Sequence, residues 1–164
     1  MDFNPNSWYR LTSAAAMKSQ ISMVGTFPYL NGRKGLVTFG NSDNSMPTQQ
    51  WQFFPVDKST YMLRTKASGP TGYLATENNN GSHGQIIPWI FNNTETDSSM
   101  LWRILPWNDG TFYFTNKANG RACHLDFTSV GRVGMSINIT QPQPGQAFSF
   151  VKLGDINDSA FSAV

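Results

Sequence analysis

Cysteine, charge and long apolar runs are all scarce in this sequence. Of 164 residues only Cys123 is a cysteine, so no internal disulfide is possible. The residue reads as a small buried hydrophobe in a strand. Charged residues make up 13% of the chain, about half the usual share. The surface must therefore be dominated by amide and hydroxyl side chains, a composition suited to neutral, hydroxyl-rich ligands. The ten carboxylates include only two glutamates, Glu77 and Glu95, and none pair at a suggestive spacing. No Gly-x-Ser-x-Gly, His-Glu-x-x-His, phosphate loop or Cys/His cluster occurs. Catalysis, a metal centre and a cofactor are therefore not expected. The twelve Lys and Arg residues are scattered, with a net charge of +2, and form no stripe able to track a phosphate backbone. No run approaches the ~18 apolar residues of a membrane span. The start, Met1 to Asn6, is neither basic nor apolar and does not read as a signal peptide. Three glycosylation sequons, at Asn92, Asn138 and Asn157, point weakly to an extracellular or cell-surface location.

Aromatics, by contrast, are plentiful: 12 Phe, 5 Tyr and 5 Trp. They lie in short alternating or apolar runs bounded by Gly, Pro, Asn, Asp and Ser, the pattern of many short strands. Helical periodicity is nearly absent; Ser13 to Ile21 is the best stretch and has no clear apolar stripe. The runs repeat. Sliding the chain by 51 residues aligns 51–76 with 102–127 without a gap, and seven of 26 positions are identical. Trp51 meets Trp102, Pro55 meets Pro106, Gly69 meets Gly120 and Leu74 meets Leu125. A fainter copy begins at Tyr9-Arg10-Leu11, 52 residues before Tyr61-Met62-Leu63. Met135-Ser136-Ile137, about 50 beyond Ile86-Ile87, extends the match. Strand centres are thus predicted at Met62, Leu74, Ile87 and Trp102, and again at Tyr113, Leu125, Ile137 and Phe148.

Three four-stranded copies cannot each bury their own apolar residues. Arranged about a threefold axis they close a six-stranded barrel capped by three hairpins, which hides the sheet edges. The expected fold is therefore all-β, a β-trefoil of three pseudo-symmetric repeats at about 8–54, 57–105 and 108–152. It forms a single domain over 1–153, with 154–164 set apart as a C-terminal linker or stalk start. Each copy carries a mark on its fourth strand: Gln49-Gln50-Trp51, Met100-Leu101-Trp102 and Gln146-Ala147-Phe148. A large aromatic there fills the barrel, and the glutamine can satisfy backbone groups of the adjoining loop.

These marks resemble the Gln-x-Trp pattern of ricin B-type β-trefoil lectins, and the resemblance covers about residues 8–152. Asn6-Ser7-Trp8-Tyr9-Arg10-Leu11, the stretch from Trp107 to Phe112 and Gly154-Asp155-Ile156-Asn157-Asp158 further resemble trefoil ectodomains of filamentous-fungal membrane-anchored proteins. That likeness implies a membrane-anchoring segment beyond Val164.

Ricin-type sites imply an Asp after the second strand, a stacking aromatic on the third, and polar groups around the glutamine. In the third copy Asp126 takes the acidic place, and Asn138 and Gln146 complete a polar cluster. Ser136, Asn138 and Thr140 are read onto the third strand, which leaves His124 or Phe127 to replace the aromatic. In the second copy Trp89 and Phe91 supply aromatics, with Asn92 beside them, but Ala75 and Met100 replace the Asp and Gln. In the first copy Phe39 and Gln49 are present, while the acidic place falls near Val24-Gly25. Trp8, Trp51 and Trp102 are expected in the core. His83 is read as a solvated loop residue, and His124 as facing outward on its strand. The implied function is non-catalytic carbohydrate binding. A protein-binding trefoil, such as a protease inhibitor or receptor ectodomain, is the alternative, through the loops Phe27 to Arg33 and Glu77 to Gly84. A purely structural stalk domain is a third reading.

Overall fold

The computed structural model describes residues 2–15, 20–29, 34–79, 85–93, 95–127, 133–139 and 143–164. The strands are β1 (Ser7–Ser13), β2 (Ile21–Gly25), β3 (Lys34–Gly35), β4 (Val37–Asn41), β5 (Trp51–Pro55), β6 (Thr60–Thr65) and β7 (Gly72–Asn79). They continue as β8 (Gln85–Asn92), β9 (Trp102–Pro106), β10 (Phe112–Asn116), β11 (His124–Phe127), β12 (Val133–Ser136) and β13 (Phe148–Asp155). Among the described residues there is no α-helix, only short 3-10 turns.

Six strands close a ring: β1 pairs β5, β5 pairs β6, β6 pairs β9, β9 pairs β10, β10 pairs β13 and β13 returns to β1. The hairpins β2–β4, β7–β8 and β11–β12 stand on this barrel. This is the β-trefoil that the repeat predicts. The symmetry is visible in single registers. Tyr9 faces Trp51, Tyr61 faces Trp102 and Phe112 faces Phe148 across equivalent strand pairs. A 3-10 turn precedes the large ring each time, at Pro47–Gln49, Ser98–Met100 and Pro144–Gln146.

Trp51, Trp102 and Phe148 have no exposed surface. The two indoles also bond upward: Trp51 Nε1 donates to the Met23 carbonyl and Trp102 Nε1 to the Leu74 carbonyl, both at 2.9 Å. Each bond ties a barrel strand to the hairpin above it and satisfies a buried carbonyl. Leu74 and Leu125 lie fully buried at matching places on their hairpins, as does Met23. Gly69 and Gly120, matched by the repeat, both hold positive φ, 82° and 75°, in the turn after the first strand of each unit.

One end of the barrel is plugged by a residue outside the repeat. The Phe3 ring stacks on Phe53 at 4.2 Å and meets Tyr9, Tyr61 and Phe150 edge-on. Those four partners come from four different barrel strands.

Three expectations need correction. The third strand of the last repeat is β12, ending at Ser136; Ile137 lies beyond it and is 80% exposed. Met135, which faces Leu125, is the counterpart of Ile90, which faces Leu74, so the repeat was slid by a few residues there. The supposed linker is also part of the domain. Gly154 and Asp155 belong to β13 and pair with Trp8 and Ser7. Phe161 is buried with its ring 5.1 Å from that of Trp8. Third, His124 is not outward on a solvated face; it is 4% exposed.

The tail is also clamped by a buried cation. Arg64 is 1% exposed and donates to Gln52 Oε1 (2.6 Å), the Pro70 carbonyl (2.5 Å), Tyr73 Oη (3.1 Å) and the Ala163 carbonyl (2.8 Å). Its guanidinium lies over the Phe161 ring, 5.0 Å from the centroid. Burial holds its pKa below the ordinary arginine value, opposed by Tyr73. The Phe161→Ala substitution is expected to destabilise the domain by about 3 kcal/mol, read from urea unfolding. A loose tail would show no change.

Candidate functional site

The two Trp–carbonyl bonds match Met23 with Leu74, and the 51-residue repeat matches Leu74 with Leu125. With Met23, Leu74 and Leu125 equivalent and inward, the residues on either side face outward. One outward position is Ser22, Tyr73 and His124; the next is Val24, Ala75 and Asp126. On the barrel strands below, Arg10, Met62 and Tyr113 are equivalent. Before the fourth strand stand Gln49, Met100 and Gln146. The three outer surfaces share one frame and differ only in side chains.

In the third repeat this frame carries a carboxylate held from below. Gln146 is fully buried, and its Nε2 donates to Asp126 Oδ2 at 3.0 Å and to the Asn138 carbonyl at 2.9 Å. Gly145 is what lets the 3-10 turn come so close. A Cβ at that position would lie 2.2 Å from Asp126 Oδ1 and 2.4 Å from the Phe127 carbonyl. Beside the carboxylate, the His124 ring stacks on Tyr113 at 4.4 Å, with Trp107 at 5.5 Å. Trp107 Nε1 donates to the Gln146 carbonyl at 3.0 Å, which locks the aromatic group to the turn. Two buried polar atoms here, His124 Nδ1 and Gln146 Oε1, make no hydrogen bond of ordinary geometry. Burial pushes the His124 imidazole below its ordinary value near 6.5, while Gln146 and Asp126 work the other way.

The sequence matches the model of the ricin-type beta-trefoil lectin domain-like family over residues 47–141, more than half of the chain. The chain belongs to this family. None of the curated proteins matches it. Among solved structures it is similar to Cry35Ab1, at 16% identity and a TM-score of 0.68 over 95% of this chain and 38% of that one. It is similar to the designed 3-fold symmetric protein ThreeFoil, at 18% identity and a TM-score of 0.64 over 88% of this chain and 97% of that one. The Polyporus squamosus lectin, bound to a human-type influenza-binding epitope, gives 18% identity and a TM-score of 0.67 over 92% of this chain and 50% of that one. This chain thus spans well under half of Cry35Ab1 and half of the Polyporus lectin. At such identities these likenesses concern the fold.

Of the six residues expected from the ricin-type pattern, the structure gathers four: Asp126, Gln146, His124 and the backbone of Asn138. Asn138 contributes its carbonyl, while its side chain lies exposed past the end of β12. The other two sit on the second hairpin. Trp89 faces Ala75 across the β7–β8 pair and carries the Lys34 ammonium 5.3 Å from its ring centroid. Lys34 is in turn paired with Glu77, so one face of this indole is occupied from within the fold. Asn92 ends β8, exposed, and its Oδ1 accepts from the Thr71 hydroxyl at 2.7 Å. Phe39 and Phe127 are not platforms; they are core residues with their rings 4.3 Å apart. His83, Thr140, Leu30 to Arg33 and Asn80 to Gly84 lie outside the described residues.

Sequence reasoning missed Trp107 and Tyr113. The repeat held the signal for Trp107: the residue aligned with it, just before the second copy, is Val56, so an indole there is a departure. Because His124 is buried with its pKa depressed, the unfolded chain binds a proton that the folded domain resists. Its contribution is therefore complete above the ordinary value of about 6.5 and declines as pH falls through and below it. Urea unfolding should show stability falling between neutral pH and about pH 5. His124→Tyr, copying Tyr73 of the second repeat, should remove that part of the slope.

Proposed function

We propose that this domain is a non-catalytic saccharide-binding module whose third repeat carries the working site. The observation that carries this reading is the Asp126 carboxylate, half-buried on the hairpin face and held by Gln146 at 3.0 Å. A fixed carboxylate can accept from two neighbouring sugar hydroxyls, which a freely rotating one does less well. The partly exposed Trp107 and Tyr113 rings stand close by and offer apolar surface to the face of a pyranose. They do the work that the sequence assigned to a third-strand aromatic. Lectin-like relatives of the fold support the same reading at the level of the family. A low-charge, amide-rich surface and exposed Asn92, Asn138 and Asn157 support display outside the cell.

A protein partner is the second reading, favoured by the two exposed rings after β2. Phe27 is 59% and Tyr29 60% exposed. A broad glycan array separates the two readings. Specific glycan binding is expected, and Asp126→Ala should weaken it by about tenfold or more, the loss of one charge-assisted hydrogen-bond pair. Array signal that persists in Asp126→Ala but vanishes in Phe27→Ser/Tyr29→Ser would overturn the assignment to the third repeat. The absence of any glycan signal, with protein capture dependent on Phe27 and Tyr29, would favour the second reading.

A further inference from the structure

The three equivalent outer pockets are finished differently. In the second repeat Met62, Tyr73 and Met100 pack together as an apolar cluster. In the third, Tyr113 and His124 stack in the same places. In the first repeat the corresponding residues are Arg10, Ser22 and Gln49. A serine stands where the others carry a ring, and a cation where they carry Met or Tyr. Arg10 and Gln49 line an open cleft of about 610 Å³ at the root of the β2–β4 hairpin, within the range of small-ligand sites, and the buried Ser22 lies behind its Ser42 wall. Its walls include Arg10, Gln20, Ser42, Asp43, Asn44 and Met46. Val24, at the position of Asp126, is not among its lining residues, so the cleft is separate from the hairpin face used in the third repeat.

The groups around it are built rather than loose. Gln49 is 4% exposed; its Nε2 donates to the Asn41 carbonyl (2.7 Å), and its Oε1 accepts from the Asp43 amide (2.9 Å). Ser22 Oγ, fully buried, shares a 2.6 Å hydrogen bond with Ser42 Oγ. Asp43 Oδ1 accepts from both the amide and the hydroxyl of Ser45, which keeps its pKa below the ordinary carboxylate value. Gln20 holds φ at 48° in the left-handed region, an uncommon state for a residue with a side chain. Arg10 Nη1 is spent on Asn44 Oδ1 at 2.5 Å, but its Nε is shielded from solvent and has no acceptor. Burying a donor without a partner is unfavourable unless something else supplies one.

We propose that this cleft is a second ligand site and takes a neutral, hydroxyl-rich ring such as a hexopyranose. The charges decide the class. Arg10 donates and Asp43 accepts, so a polyol can satisfy both, whereas an anion meets Asp43 and a cation meets Arg10. The exposed thioether side chain of Met46 offers the apolar contact for a sugar C–H face. The choice of a saccharide rests on the function proposed above; the location does not.

The test is an NMR titration of the isotope-labelled full chain with D-glucose, D-galactose, D-mannose and N-acetyl-D-glucosamine, and separately with D-glucuronate. At least one neutral sugar is expected to give saturable shifts at the amides of Asn41 to Asn44 and at Arg10 Nε–H. Arg10→Met, copying Met62, should weaken those shifts about tenfold or more while leaving any at Asp126 and Gln146 intact. Its melting temperature should change little, since the Nε–H it removes has no partner and the Nη1–Asn44 hydrogen bond it loses is exposed. Ser22→Tyr, copying Tyr73, should also close the site. Asp126→Ala should do the reverse, sparing the Asn41–Asn44 shifts. Cleft shifts without shifts at Asp126 would support this site and count against the third-repeat reading. Shifts at Asp126 alone would overturn this site and leave that reading standing. Cleft shifts that survive Arg10→Met, or glucuronate binding there more tightly than the neutral sugars, would overturn it as well. No shift with any sugar would reject both.

Discussion

Closure of the six-stranded ring is the constraint on which everything else depends. Each first strand must pair with its own fourth strand, and each fourth strand with the next first strand. The contact that sets this register is the same in each unit: an aromatic at Tyr9, Tyr61 or Phe112 opposite a large ring at Trp51, Trp102 or Phe148. Once those pairs are fixed, the strand edges disappear and the three hairpins have only one place to stand. The indole bonds to Met23 and Leu74 then hold two of those hairpins to the barrel. The third repeat has phenylalanine and cannot make that bond. There, Trp107 reaches from the neighbouring turn to the Gln146 carbonyl and ties the same region down by another route.

The repeat made the barrel legible because its determinants are periodic. Trp51 and Trp102, Gly69 and Gly120, and Leu74 and Leu125 each perform one mechanical task in corresponding places. The errors fell where periodicity stops. The fourth-strand marks are 51 residues apart and then 46, so the third hairpin is shorter and a fixed shift misplaces it. That is why Ile137 was read as a strand centre when it lies past the strand. His124 was misjudged for another reason. Alternation along a strand tells which side a residue faces, not whether that side is wet, and here Tyr113 and Trp107 cover it. Phe3, Arg64 and Phe161 were unreadable because their partners lie far off in sequence and outside the repeat. Arg64 meets Ala163 across 99 positions. A buried guanidinium served by neutral carbonyls, an amide and a phenol leaves no charge pattern to find.

Of the candidate site, Asp126 and Gln146 were legible because both belong to the shared frame. The aromatic side of the site was not, since it comes from Trp107 and Tyr113 on a different part of the repeat. Trp89 looked suitable by position. Its surroundings count against it: Lys34, held by Glu77, already uses one of its faces, and Lys34 is far from it in sequence.

Comparison of the three outer pockets separates what holds the fold from what it presents. The inward residues are interchangeable hydrophobes, and the glutamine before the fourth strand bonds the same carbonyl, at Asn41 and at Asn138, in two repeats. The outward residues share neither size nor charge: Arg10, Met62 and Tyr113; Ser22, Tyr73 and His124; Val24, Ala75 and Asp126. A frame satisfied internally by backbone pairing and buried rings does not require one particular side chain at these outer positions. Those positions can therefore diverge, and they have done so in three directions: one pocket filled with hydrophobes, one built around a carboxylate and stacked rings, and one left open beside an arginine. The pseudo-symmetry that makes this fold easy to recognise thus says little about its ligand. The ligand is written where the symmetry is broken.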